Sequence, residues 1–308
     1  MHVYSDLSSA RDLEGAALCM GNFDGVHLGH RALFDEAARQ GRPAALTFWP
    51  HPGKVLQAEL APKLITTQSR KLELMQDAGL TATVVQPFTR EFAATPPEDF
   101  ETALLDRLKV GHLVIGADFT YGQGRRGTVA TLERAAASRG AQVHVVEQVQ
   151  VDGVVVSSSR IREYILDGRV GAARRLLGRP FDLDGTVVKG LGRGRQIGWP
   201  TANVDTPNEL RPAPGVYAIR VRFLDEGEGE GWRGGAANIG VKPTFGGSEV
   251  TIEAHLIDFS GDLYGKRLRV QFLERLRPER RFGSVEELSN QIQRDTEAAR
   301  EVIASHAE

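Results

Sequence analysis

Cysteine is almost missing: Cys19 stands alone among 308 residues, so no disulfide can form within the chain. The same scarcity excludes a cysteine-rich zinc centre. No apolar run approaches the roughly 18 residues that a membrane-spanning helix needs. The first residues, MHVYSDLSSARDLEG, lack the basic-then-apolar order of a secretory signal. Neither sign of charge dominates: 38 Lys and Arg stand against 40 Asp and Glu, a formal net charge of −2. That balance carries no electrostatic footprint for nucleic acid. The expectation is a cytoplasmic enzyme or binding protein, without nucleic acid or membrane as partner. Cys19 lies in the apolar run 16–20 and reads as a small buried hydrophobe rather than a nucleophile. Oligomeric state stays open, a homo-oligomer included.

What is present belongs to a globular protein, with 41% hydrophobic and 25% charged residues. The length argues for about two domains. In the first half, strand-like and helix-like segments alternate. Strands are predicted at 16–20, 43–48, 82–86, 113–116 and 142–147. Helices are predicted near 30–40, 69–78, 97–108 and 129–138. This alternation predicts an α/β fold with a mainly parallel, Rossmann-like sheet. A helical stretch at 164–177 follows, then Gly178-Arg179-Pro180. Beyond it come short strands at 181–188, 215–224, 236–239, 250–257 and 267–272, separated by Gly- and Pro-rich turns. That pattern predicts a β-barrel or sandwich. A terminal helix opens at Ser284, with Glu287 three residues on as in a capping box. The change of pattern puts the domain boundary near 180, giving domains 1–180 and 181–308. The acidic, Gly-rich tract 225–231 reads as a solvated hairpin tip.

The strongest local signal is Gly21-Asn22-Phe23-Asp24-Gly25-Val26-His27-Leu28-Gly29-His30. It follows a predicted strand and opens a helix. Gly21 and Gly25 permit tight turns and a close backbone approach to phosphate. The helix start offers free N–H groups and a partial positive charge. His27 and His30 can donate hydrogen bonds there to a triphosphate or a departing pyrophosphate. Taken singly, these residues also suit an ordinary strand–helix turn with surface histidines. Three further segments are Thr47-Phe48-Trp49-Pro50-His51-Pro52, Gly116-Ala117-Asp118-Phe119-Thr120-Tyr121-Gly122 and Ser157-Ser158-Ser159-Arg160-Ile161-Arg162.

Together these segments resemble the HxGH nucleotidyltransferase superfamily. The longer GNFDGVHLGH form is similar to the flavin adenylyltransferase module of bacterial bifunctional riboflavin kinase/FAD synthetases. Tyr121 stands in the usual Phe place and Ser159 where Thr is common. The resemblance implies adenylylation of FMN by ATP, with His27, His30 and Arg162 as catalytic residues. It implies ATP or phosphate contacts from Gly21, Phe23, Asp24, Gly25, Ser158, Ser159 and Arg160. His51, Asp118 and Phe119 are implied flavin contacts. The attacking phosphate is already present on FMN, so alignment and charge neutralisation matter more than base catalysis.

A second cluster runs from Lys189 to Asn203. Its glycine spacing fits neither a Walker A loop nor GxGxxG, and alone it reads as a flexible basic hairpin. Pro200-Thr201-Ala202-Asn203, Asn238–Phe245 (NIGVKPTF), Ile252-Glu253-Ala254 and Asp262-Leu263-Tyr264-Gly265 resemble riboflavin-kinase segments. The resemblance implies a phosphate-facing flap of Gly190, Gly192, Arg193 and Gly194, with Lys189 and Arg195 screening charge. It implies Thr201 and Asn203 as Mg²⁺ ligands, Glu253 as the base that takes the riboflavin 5′-hydroxyl proton, and Arg281 as a flavin contact. Other readings are one active half, a flavin-binding regulator, or adenylylation of a different phosphate such as pantetheine phosphate. The last leaves the C-terminal motifs without a purpose.

Overall fold

The computed structural model describes residues 1–190, 194, 198–225, 231–244 and 247–306, with backbone only at 242–244 and 247–249. The chain divides into two compact units, Met1–Ser158 and Ser159–Glu308.

The first unit is built on strands β1 (His2–Tyr4), β2 (Ala17–Met20), β3 (Pro43–Trp49), β4 (Ala82–Pro87) and β5 (His112–Gly116). The short strands β6 (Thr120–Tyr121) and β7 (Gly127–Thr128) pair with each other. Strand β8 (Gln142–Val146) completes the main sheet, and β9 (Gln150–Val151) and β10 (Val154–Val155) form a second small ribbon. The six-stranded sheet has the order β1-β4-β3-β2-β5-β8, and every pair in it is parallel. Both faces are covered, so β2 is buried throughout its length, as parallel strands require. One core layer includes Leu18, Leu46, Val84, Leu113 and Ile115; the opposite one includes Cys19, Phe23, Phe34, Met75 and Val114. Cys19 is buried as expected, its thiol pushed up by desolvation and donating to the Leu33 carbonyl at 3.2 Å.

The helices are α1 (Leu28–Gln40), α2 (Pro52–Leu56), α3 (Gln68–Asp77), α4 (Arg90–Ala93), α5 (Pro97–Thr102) and α6 (Val129–Ala137). The predicted helix 97–108 is only partly α: after α5 it widens into a π-helical turn over Ala103–Arg107. From β2 the chain steps outward through β3 to β4, and β5 and β8 lie on the other side of β2. The order therefore reverses between β2 and β5, and ligands of such sheets bind beyond the carboxyl ends at that point.

The second unit opens with α7 (Ser158–Leu166) and α8 (Val170–Leu177), broken at Gly168, which has φ 75°. The single predicted stretch 164–177 is thus two helices. The barrel strands are β11 (Phe181–Val188), β12 (Ala202–Asp205), β13 (Gly215–Phe223), β14 (Arg233–Thr244), β15 (Gly247–Leu256) and β16 (Arg267–Arg277). They close in the order β11-β12-β15-β14-β13-β16, every pair antiparallel. A terminal helix, α9 (Val285–Ser305), packs Ala299, Val302 and Ile303 on Ala218, Ala236 and Leu273. Ser284 caps it at the Glu287 N–H (3.1 Å), while the Glu287 carboxylate returns to the Gly283 N–H rather than to Ser284.

By packing, the boundary lies some twenty residues before the position read from the pattern change. Helices α7 and α8 go with the barrel. The Ile165 carbonyl accepts from the Ala213 N–H at 3.3 Å, and α8 lies against β11 and β16. The change of strand pattern near 180 marks where the barrel's own strands start, not where its compact unit starts. Residues 226–230 of the acidic tract lie outside the described residues; β13 and β14 flank it as an antiparallel pair, Val221 opposite Arg233.

Candidate active sites

In the first unit the GNFDG segment leaves β2 at the reversal point and bends sharply. Phe23 (φ 52°), Gly25 (φ 85°) and Val26 (φ 42°) all adopt left-handed backbone. Two non-glycine residues in that region are costly and persist where surrounding contacts over-determine them. Asp24 supplies much of that determination. Its carboxylate accepts from the Ile65 N–H (3.0 Å), the Thr66 N–H (3.2 Å) and the Thr66 hydroxyl (3.4 Å). The Thr66 hydroxyl also accepts from the Gly25 N–H at 3.3 Å. These bonds anchor the bend to residues 65–66.

His27 is the N-cap of α1: its Nδ1 accepts from the His30 N–H at 3.3 Å. An accepting Nδ1 leaves Nε2 to carry the ring proton. The His27 and His30 rings stack at 3.5 Å between centroids, inclined by 16°. Phe23 supports His30 edge-on at 5.3 Å and Phe34 at 4.9 Å. Gly29 lies so close that a Cβ would meet the His27 ring at 3.2 Å, which explains the glycine between the histidines. Both imidazoles therefore stand at the start of α1, where free N–H groups and the helix dipole favour an anion.

Neighbouring loops end on the same edge of the sheet. His51 follows β3, caps α2 and accepts from the Gly53 N–H at 3.1 Å. Asp118 (exposed) and Phe119 (half-buried) follow β5, with Phe119 stacked on Tyr121 at 5.8 Å. The Tyr121 hydroxyl donates to the buried Glu101 at 2.5 Å, a use for the oxygen that Phe lacks. Ser158, the last residue of the first unit, donates to the Asp24 carbonyl at 3.0 Å. Ser159, Arg160 and Arg162 belong to the second unit by packing, where Arg160 pairs with Glu163 at 2.6 Å.

Sequence reading passed over one residue here. Lys71 on α3 is buried and donates to the Thr47 hydroxyl (3.0 Å) and the Asn22 carbonyl (3.3 Å). Its signal was a lysine at a core position: 71, 74 and 75 share a helix face, and Leu74 and Met75 are buried with it.

In the second unit, strand register assembles the kinase-like set. Asn203 of β12 lies opposite Glu253 of β15, and Glu253 lies opposite Asn238 of β14. The three side chains form one row across adjacent strands, within reach of one another. Their neighbours Ala202, Ala254 and Ala237 form the adjacent row and are buried inside the barrel. Glu253 and its partners therefore point the other way and are only half-buried. Gly190 packs against the Asn203 amide with no room for a Cβ. Thr201 is exposed beside this row and also lines a cavity of about 300 Å³ that runs past Val187, Ala254, Leu256, Asp262 and Tyr264.

Two contacts hold the segment leading into Thr201. The Trp199 indole N–H donates to the Ser289 hydroxyl of α9 at 3.1 Å, and a His255 ring nitrogen contacts the Pro200 carbonyl at 2.8 Å. Of the implied flap, Gly190 and Gly194 are described, whereas Gly192, Arg193 and Arg195 lie outside the described residues. Arg281 is exposed just ahead of α9. Asn238 is brought in by register, and its proximity to Glu253 could not be read before the pairing of β14 with β15 was known.

A parallel sheet with paired histidines at a helix start at its reversal point, and a separate antiparallel barrel with a polar row headed by a glutamate, define a two-domain nucleotide-using transferase. Comparison with known proteins makes this specific. The FAD synthetase family model matches residues 9–160 and the riboflavin kinase family model matches residues 177–303. The bifunctional riboflavin kinase/FMN adenylyltransferase of Escherichia coli K12 is 38% identical over 294 residues, spanning 94% of this chain and 93% of that protein. That of Bacillus subtilis is 36% identical, spanning 92% and 91%. A crystal structure described as a macrolide-efflux protein of Streptococcus pneumoniae superposes with TM-score 0.87 at 29% identity, covering 97% of this chain and 98% of that one. No helix among the described residues of this chain is long and apolar enough to cross a membrane. The chain belongs to the bifunctional riboflavin kinase/FMN adenylyltransferase family.

Proposed function

We propose that the chain performs both reactions of its family: the barrel unit phosphorylates riboflavin to FMN with ATP, and the sheet unit adenylylates FMN to FAD with release of pyrophosphate. The observation that carries this reading is that each motif set converges on one place, the stacked His27/His30 pair in one unit and the Asn203–Glu253–Asn238 row in the other.

In the barrel, Glu253 takes the proton from the riboflavin 5′-hydroxyl as that oxygen attacks the γ-phosphorus of ATP. Asn203 and Asn238 flank it on the neighbouring strands. Thr201 and Asn203 offer neutral oxygen ligands. Two neutral oxygen ligands suit a hard cation that also keeps waters and substrate phosphates. The families use ATP with a divalent metal; Mg²⁺ in that place would neutralise phosphate charge. Gly190 and Gly194 contact the phosphates, and Arg281 contacts the flavin.

In the sheet unit, the N–H groups at the start of α1 receive the triphosphate. His27 and His30 donate hydrogen bonds to the departing pyrophosphate, and the motif 157–162 assigns phosphate contacts to Ser159, Arg160 and Arg162. Gly21, Phe23 and Gly25 shape that cradle; Asp24 and Ser158 build it from behind through their bonds to 65–66 and to the Asp24 carbonyl. His51, Asp118 and Phe119 face the flavin from the ends of β3 and β5. Functionally, residues 1–180 carry adenylylation and 181–308 phosphorylation, in a cytoplasmic enzyme.

The test is chromatographic separation of flavins after incubating the chain with riboflavin, ATP and Mg²⁺. FMN should appear first and FAD later. FMN without FAD would remove the adenylylation site, and bound flavin without product would leave a binding protein.

A further inference from the structure

Lys71 lies behind the GNFDG bend and, among the described residues, donates to two acceptors: the Asn22 carbonyl in that bend and the Thr47 hydroxyl in β3. The Thr47 hydroxyl that accepts from Lys71 itself donates to the Asn22 carbonyl at 3.1 Å. Lysine, threonine and carbonyl thus close a triangle that ties the bend after β2 to the C-terminal part of β3, two residues before Trp49. Thr47 is fully buried and Lys71 nearly so, with 6% of its surface exposed. A buried ammonium is expensive unless its environment uses the charge. The charge acting on it comes from Asp24 in the same bend. Arg70, its neighbour on α3, pairs with Glu73 at 3.0 Å, and the groups that Lys71 touches are neutral.

We infer that Lys71 is a positioning residue for adenylyl transfer: its ammonium locks the phosphate-binding bend to the flavin-facing end of β3 and sets a fixed positive charge beneath the triphosphate. The inference rests on the bend 21–30 being the phosphate site. Charge-assisted hydrogen bonds are about twice as strong as neutral ones, so deprotonation loosens the lock as well as removing the charge. Burial lowers the Lys71 pKa from 10.5 to about 8. The lock is therefore closed at neutral pH and opens as pH rises through about 8.

The experiment follows FMN adenylylation and riboflavin phosphorylation by the same full-length chain between pH 6.5 and 10. Wild type should lose kcat for adenylylation on an alkaline limb near pH 8. Lys71→Arg keeps its charge throughout, so its limb should move upward by more than one pH unit. Lys71→Met should lower kcat by about 100-fold, the scale of a small misplacement of reacting groups, with KM for FMN changed little and no limb near 8. Circular dichroism checks that each variant is folded, and the phosphorylation profile controls for ionisation of ATP. An alkaline limb absent from wild type, or unmoved in both variants, overturns the inference. His30→Ala is the control: full adenylylation by that variant would overturn the phosphate-site reading itself, and with it the role of Lys71.

Discussion

In the proposed function Glu253 serves phosphorylation and His30 adenylylation, so single substitutions should separate the two reactions. Glu253→Ala should lower FMN formation by about 100-fold or more while FAD synthesis from supplied FMN continues. His30→Ala should do the reverse, with FMN accumulating and FAD formation reduced about 100-fold. Product chromatography with riboflavin and with FMN as starting material reads both. Lys71 adds a dependence of opposite sign on stability. Between about pH 8 and 10.5 the unfolded chain keeps a proton that folded Lys71 has given up. The unfolded state then binds more protons, so this group's contribution to stability increases with pH across that window. Relative to Lys71→Met, wild type should gain denaturant resistance from pH 8 to 10, while its adenylylation falls. The histidines, Glu253 and the GNFDG bend were legible in sequence because their chemistry and spacing are unusual together. Lys71 was not, because a lysine in a charged helix is ordinarily solvated. Asn238 was part of a recognised segment, but its place beside Glu253 depends on strand register.

Elements with one strong signature were the easiest to read. The continuous apolar runs of β2, β3 and β5 announced buried parallel strands, and Ser284 announced α9. Strand β12 was missed because Ala-Asn-Val-Asp is short and follows Pro200, so nothing in it favours a strand; its partners β11 and β15 impose the conformation. The break between α7 and α8 was missed although Gly168 marks it. That glycine has φ 75°, and an added Cβ would meet the Tyr217 hydroxyl at 2.8 Å. The hydroxyl is already engaged, donating to the Ala213 carbonyl at 2.5 Å, and burial pushes its pKa up to about 12. Gly168→Ala should therefore destabilise the barrel unit by about 2 kcal/mol, through left-handed strain and displacement of Tyr217. Ser284→Ala should cost about 1 kcal/mol through the lost cap of α9. Both are measured by denaturant unfolding, and neither should alter FAD formation from FMN.

At the scale of the molecule, the sequence conveyed an α/β half followed by a barrel, because hydrophobic runs change from long and helix-separated to short and turn-separated. The packing division falls earlier than the change of pattern near 180, because helices advertise their periodicity but not the surface they cover. Val170, Ala173, Leu176 and Leu177 of α8 are all buried. A fragment of residues 159–308 should phosphorylate riboflavin and unfold cooperatively. One of 181–308, stripped of α7 and α8, should unfold at lower denaturant and expose apolar surface to a reporter dye. Equal stability of the two fragments would count against the packing boundary.

The barrel's first and last strands pair, Phe181 opposite Phe272, so that sheet has no free edge. The parallel sheet ends on β1 and β8 instead. Strand β8, Gln-Val-His-Val-Val, has no Lys, Arg, Asp or Glu, and Val145 is 39% exposed. Unpaired, uncharged strands of this kind recruit other chains. Turbidity on storage or heating should originate there, and Val145→Lys should delay it while leaving both reactions at their wild-type rates.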